Sequence, residues 1–164
     1  MRSPESAVAT EPCLTLGCFE VGGRTFGMDV TSIREIVRWR PVMPLPGSPR
    51  LIEGVIDFRG TMIPVVDLGR VLGQGPTGET RRARIIITQI GELVVGLIVQ
   101  EATAVLTVEA SDLSRPSDLT SPTCSEITRA IVRQPGGDPI VVLSLEPLLG
   151  RVRDSGPPGS EASA

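Results

Sequence analysis

No apolar stretch in this sequence stays unbroken for long. Val, Ile and Leu fall in short runs that Gly, Pro or Asp interrupts every eight to twelve residues. That spacing leaves no room for long helices and matches the strands and turns of a small all-β barrel or sandwich. Leu14, Leu16 and Cys18 alternate with smaller or polar residues, Gly22-Gly23 suits a tight hairpin turn, and Phe26, Met28 and Val30 alternate again on the return.

The next segment reads as a short helix followed by extended chain. Ser32 to Glu35 has the Ser-x-x-Glu form of a capping box, which predicts a helix through about Val37. Pro41, Pro44, Pro46 and Pro49 then force an extended path. Two strands follow, Ile52–Phe58 and Thr61–Val66, joined by a turn at Arg59-Gly60, and Pro64 requires an edge or a bulge. Asp67 is placed to cap a short helix over Leu68–Leu72, closed by Gly73.

A second round begins after the polar linker Gln74–Thr80, with strands at Arg84–Ile90 and Leu93–Val99 around a turn at Gly91-Glu92. The two rounds align. Val21-Gly22, Gly27 and Val30 match Ile90-Gly91, Gly96 and Val99 at an offset of 69 residues, and Gly60, Leu68, Leu72 and Gly73 match Gly137, Leu145, Leu149 and Gly150 at an offset of 77. The added residues fall in Ala110–Ser125, a Ser-, Asp- and Pro-rich stretch with the composition of a long surface loop. Two similar β units of about 70 residues are expected, each closing with a turn of helix, and each too small to bury enough surface alone. The expected division is a disordered segment over 1–12, a first barrel over about 13–73, a second over about 82–150, and a disordered Gly-, Pro- and Ser-rich tail over 151–164.

Composition removes whole classes of chemistry. The chain has no histidine, and all 16 basic residues are arginines against 19 acidic ones, for a net charge of −3. The usual base near neutral pH is therefore missing, as is any Schiff-base lysine. Cys13, Cys18 and Cys124 have neither CxxC spacing nor histidine partners, so small buried thiols are expected rather than a metal or redox site. One Trp, three Phe and no Tyr give little for nucleic acid to stack on. No segment has the roughly 20 apolar residues of a membrane span, which points to a cytoplasmic protein with no direct membrane insertion.

The stretch from Glu35 to Leu68 is more specific than any of this. It runs Glu35-Ile36-Val37, Leu45-Pro46-Gly47-Ser48-Pro49, Ile52-Glu53-Gly54-Val55-Ile56-Asp57-Phe58-Arg59-Gly60 and Ile63-Pro64-Val65-Val66-Asp67-Leu68. In order, spacing and special residues it resembles the signature of CheW-like domains, the coupling proteins of bacterial chemotaxis. The resemblance continues more weakly through Val95-Gly96-Leu97-Ile98-Val99 and spans about Leu14 to Gly150. It implies an all-β fold of two tandem small five-stranded SH3-like barrels with short helices. It also implies a non-catalytic adaptor without cofactor or metal, which joins a chemoreceptor to a CheA-type sensor histidine kinase. In that family one barrel pairs with the kinase regulatory domain, and the groove between barrels receives the helical hairpin tip of the receptor.

The contact residues that the resemblance implies are Ile33, Glu35, Ile36 and Arg59, with Val37 and Asp57 beside them. Glu35 either closes the capping box or meets a partner, and one carboxylate can do both. Arg59 stands in a turn whose backbone demands are expected to fall on Gly60, so the fold has no evident need of arginine there. Gly54 and Pro64 read as backbone devices, Asp67 as a cap, and Trp39 as either an interface anchor or a cover for the barrel. One departure stands out: where the family usually has an aspartate after Leu97-Ile98-Val99, this chain has Gln100 and then Glu101. That leaves room for an alternative, a CheW-like paralogue that binds the receptor or another signalling partner but not the kinase.

Overall fold

A computed structural model describes residues 13–115 and 126–155. Eleven strands form two sheets among these residues. The strands are β1 (Cys13–Val21), β2 (Arg24–Asp29), β3 (Ile33–Arg38), β4 (Ile52–Phe58), β5 (Thr61–Asp67), β6 (Arg84–Ile90), β7 (Leu93–Val99), β8 (Glu101–Glu109), β9 (Leu113–Ser114), β10 (Thr128–Val132) and β11 (Ile140–Leu143). The α-helices that lie wholly among the described residues are α1 (Leu68–Val71) and α2 (Leu145–Arg153). The all-β fold with short helices is as expected.

One sheet has the order β3-β6-β7-β5-β4 and the other β8-β1-β2-β11-β10-β9. These orders correct the expected division at 73 and 82. The hairpin β1–β2 sits among strands of the C-terminal half, and β6–β7 sits among strands of the N-terminal half. The swap is reciprocal: in the parallel contacts Gly27 stands opposite Val142 and Gly96 opposite Val65, a correspondence that satisfies both repeat offsets at once. Internal similarity shows which strands are equivalent, but a hairpin offers the same hydrogen-bonding edge to either copy, so similarity alone cannot choose its partner.

Three apolar cores follow from this arrangement. One barrel encloses Leu16, Cys18, Ile140 and Val142, and the other encloses their repeat counterparts Ile85, Ile87, Ile63 and Val65. Between them lies a shared core in which Phe26, Met28, Val66, Leu68 and Val71 meet Val95, Leu97, Leu143, Leu145 and Leu148. Because both barrels contribute to this middle layer, burying it requires both halves at once.

Local chemistry explains most elements and corrects several expectations. Ser32 and Glu35 form no capping box; a single 3-10 turn over Val30–Ser32 is capped instead by Asp29, which accepts from Thr31 N at 2.9 Å. Chain from Ile33 onward is strand, because Ile33, Ile36 and Val37 are β-branched and burial alternates along β3. Asp67 does cap α1, accepting from Gly69 N at 2.9 Å, and it also ties down the linker by accepting from Thr77 N and Thr77 Oγ1. Gly54 lies at φ 154°, where an added Cβ would come within 2.1 Å of the Met43 carbonyl oxygen. Pro64 lies on an inner strand rather than at the expected edge. Val55 exchanges both backbone hydrogen bonds with Met43, so Val55 and Pro64 are a non-hydrogen-bonded pair, and the proline nitrogen faces away from β4, one residue before the parallel pairing of β5 with β7 begins at Val65.

The C-terminal boundary moves outward. Leu145, Leu148, Leu149 and Val152 recur at helical spacing and are all buried, so α2 runs to Arg153 rather than giving way to a tail at 151. Ser155 Oγ accepts from Leu51 N at 3.1 Å. In the stretch read as a long loop, Leu113 and Ser114 pair with β10. Segments 1–12, 116–125 with Cys124, and 156–164 lie outside the described residues. Cys18 is buried, which raises its thiol pKa, and Cys13 is exposed.

Candidate functional site

The candidate contact residues lie on β3 and on the turn between β4 and β5. In their sheet β3 and β4 are the two edge strands, so curling the sheet into a barrel brings these edges together. Phe58 pairs with Thr61, leaving Arg59 and Gly60 as a two-residue loop, with φ of 53° and 85°. Positive φ at both positions is the type I′ turn that matches the twist of a hairpin. The expectation that Gly60 alone would carry the turn is therefore corrected: Arg59 itself is left-handed, at an energetic cost that a glycine would avoid.

That cost places the Arg59 guanidinium over the seam. Its Nη2 lies 2.5 Å from Glu35 Oε1, and its central carbon lies 5.0 Å from the centre of the Phe58 ring. Arg59 remains 70% exposed in its side chain and Glu35 34%, so the pair is presented rather than buried. A cavity of about 180 Å³ beside it is lined by Arg34, Phe58, Arg59, Thr61, Ile63 and Val94.

The other four candidates divide. Asp57 is exposed, but its Oδ1 accepts from Gly60 N at 2.8 Å and its carbonyl accepts from Arg40 Nη1 at 3.0 Å, so it braces the turn. Val37 packs on the barrel core that contains Phe58, as does Trp39. A bulge between Ile33 and Glu35 shifts the register of β3. Ile33 packs against the shared middle core, and Ile36 stands opposite Ile86, which belongs to that core. Ile36 is 44% exposed. The structure thus unites Glu35 and Arg59 with Asp57 on the seam, turns Ile33 and Ile36 toward the junction of the barrels, and leaves Val37 as packing.

Phe58 is the member of this site that the sequence reading did not assign, and its signal was the apolar residue directly before an Arg-Gly turn. At the departure from the family pattern, Gln100 Oε1 accepts from Gly23 N at 3.1 Å, and Gln100 N donates to the Glu20 carbonyl at 2.9 Å. Glu101 lies 3.4 Å from Arg82. Both side chains are engaged within the chain.

Residues 15–153 match the family model of the CheW-like domain. The chain belongs to the CheW-like family. It is 34% identical over 114 residues to the probable chemotaxis protein CheW of Rhizobium etli, covering 70% of this chain and 74% of that one. Identity to FrzA of Myxococcus xanthus is 29% over 116 residues, 70% of this chain and 72% of the relative. The scaffolding protein TtCheW from Thermoanaerobacter tengcongensis superposes with a TM-score of 0.72 at 26% identity, over 82% of this chain and 86% of that one. The match covers both barrels. Among the described residues no group of three or more His, Cys, Asp or Glu is placed to hold a metal, and no helix is long and apolar enough to cross a membrane.

Proposed function

We propose that this CheW-like adaptor couples a chemoreceptor to a CheA-type histidine kinase in the cytoplasm, without catalysing a reaction. An adaptor role in chemotaxis-type signalling follows from family membership. The observation that carries the finer reading is the Arg59–Glu35 pair: a guanidinium held in a costly backbone conformation, largely exposed, on a rigid seam. Such a group is poised for a partner carboxylate, and the Phe58 ring beneath limits the entropy that binding would otherwise cost. The exposed Ile36 near the junction of the barrels supplies an apolar contact suited to a helical segment. Tethering two partners to one rigid body raises their effective concentration for each other, which is how a scaffold acts without chemistry.

The test is Arg59→Asp. Charge reversal at an interface anchor should lower affinity for the kinase regulatory domain or the receptor tip by about thirtyfold or more. Unchanged affinity for both partners would remove the seam from the site.

A further inference from the structure

Arg38 of β3 and Arg84 of β6 are directly opposed in the antiparallel register, on one face of the sheet. Opposed side chains have Cβ atoms about 5 Å apart, and like charges in that relation repel. Among the described residues no acidic side chain pairs with either arginine. The ion pairs among the described residues join Arg59 to Glu35, Arg70 to Glu53, Arg82 to Glu101 and Arg129 to Asp29, and none reaches Arg38 or Arg84. Arg38 is exposed and Arg84 half-buried.

The second guanidinium is also fixed in place. Arg84 Nη1 donates to the carbonyls of Arg81 at 2.8 Å and Ala83 at 2.9 Å. That holds one nitrogen against the protein, and among the described residues no hydrogen bond engages Nε or Nη2, the edge that grips a carboxylate in bidentate fashion. Two residues back along β3, on the same face as Arg38, is the exposed Ile36, about 7 Å away along the strand. A repelling pair of cations beside an exposed apolar side chain complements one kind of surface: acidic side chains next to an apolar one on a protein segment. A nucleic acid or a lipid surface fits less well, because the chain has net charge −3.

We propose that Arg38 and Arg84 form a binding site for the carboxylates of an acidic, partly apolar protein segment, whose arrival neutralises a repulsion that the free protein carries. The choice of a protein partner rests on the adaptor reading, while the anion site itself does not.

The experiment titrates the full chain with a short helical peptide bearing glutamates on one face and leucines on the other, and in parallel with inorganic phosphate and with phosphatidylserine vesicles. Wild-type protein binds the peptide. Arg38→Gln weakens that binding about tenfold, as expected for one charge-assisted contact, and flattens its salt dependence. Arg24→Gln, at an exposed arginine outside the site, leaves binding unchanged. Arg84→Gln weakens peptide binding as Arg38→Gln does, and Arg38→Gln does not melt below wild type, since it removes the repulsion without breaking a hydrogen bond among the described residues. The proposal is overturned by equal losses in Arg38→Gln and Arg24→Gln, by no peptide binding, or by binding of phosphate or vesicles alone. Loss of receptor–kinase assembly with peptide binding intact counts against the adaptor reading only.

Discussion

The Arg59 guanidinium and the Glu35 carboxylate, 2.5 Å apart, bridge the two edges of one five-stranded sheet. As a closure device the pair is weak, because exposed ion pairs contribute about 0.2–1 kcal/mol. Arginine in the left-handed region costs about 1–2 kcal/mol, a penalty that glycine does not bear. Arg59→Gly is therefore expected to melt within a few degrees of wild type, or slightly above it, while partner affinity falls at least thirtyfold. Paired thermal melts and binding titrations decide the matter, and a large loss of stability would make Arg59 a structural residue.

The end of α2 is a structural part of the protein. Val152 is 3% exposed within the shared core, and burying such a side chain contributes about 1.5–3 kcal/mol. Truncation after Gly150 should lower the melting temperature by about 5 °C or more, whereas truncation after Ser155 should leave it unchanged. Equal melting of the two truncations would show that the last turn of the helix is dispensable.

The exchange of hairpins makes each half incomplete. Residues 13–80 and 81–155 expressed separately should be unfolded, and mixing them should restore one cooperative transition. Either fragment melting sharply alone would contradict the reciprocal pairing of Gly27 with Val142 and Gly96 with Val65.

Much of this architecture is legible in the sequence. Equivalent strands, all three tight hairpin turns and the Asp67 cap follow from residue chemistry that acts over a few positions. What is not legible depends on distant partners. The exchange of hairpins is invisible because both copies offer the same edge, and β8 has only a weak alternation to announce it. The Ser32–Glu35 motif suggested a helix because a capping box is read locally, whereas β-branched Ile33, Ile36 and Val37 pair with β6 across some fifty residues of chain. Of the site, the signature indicated Arg59 and Glu35 separately; their contact across the seam required the curled sheet.

One pH effect follows from Asp29. Burial pushes its carboxyl upward, but hydrogen bonds from Thr31 N and Oγ1 and the Arg129 guanidinium at 3.5 Å outweigh it, and the net pKa lies below the ordinary value. A carboxylate whose folded pKa is depressed stabilises the fold above its unfolded pKa and loses that contribution as pH falls through the folded one. Asp29→Asn keeps an acceptor for Thr31 N but loses the charge. Its melting temperature should be below that of wild type near neutral pH, and the gap should close below about pH 4. A gap that is constant across this range would show that the charge of Asp29 contributes nothing.

The central claim is tested by assembling purified receptor signalling domain and CheA-type kinase with and without this chain, and measuring by sedimentation the kinase recovered with the receptor. The adaptor account predicts recovery that rises with added wild-type chain, saturates, and fails with Arg59→Asp at the same concentrations. Kinase recovery that is independent of the chain, or equal for wild type and Arg59→Asp, would contradict it.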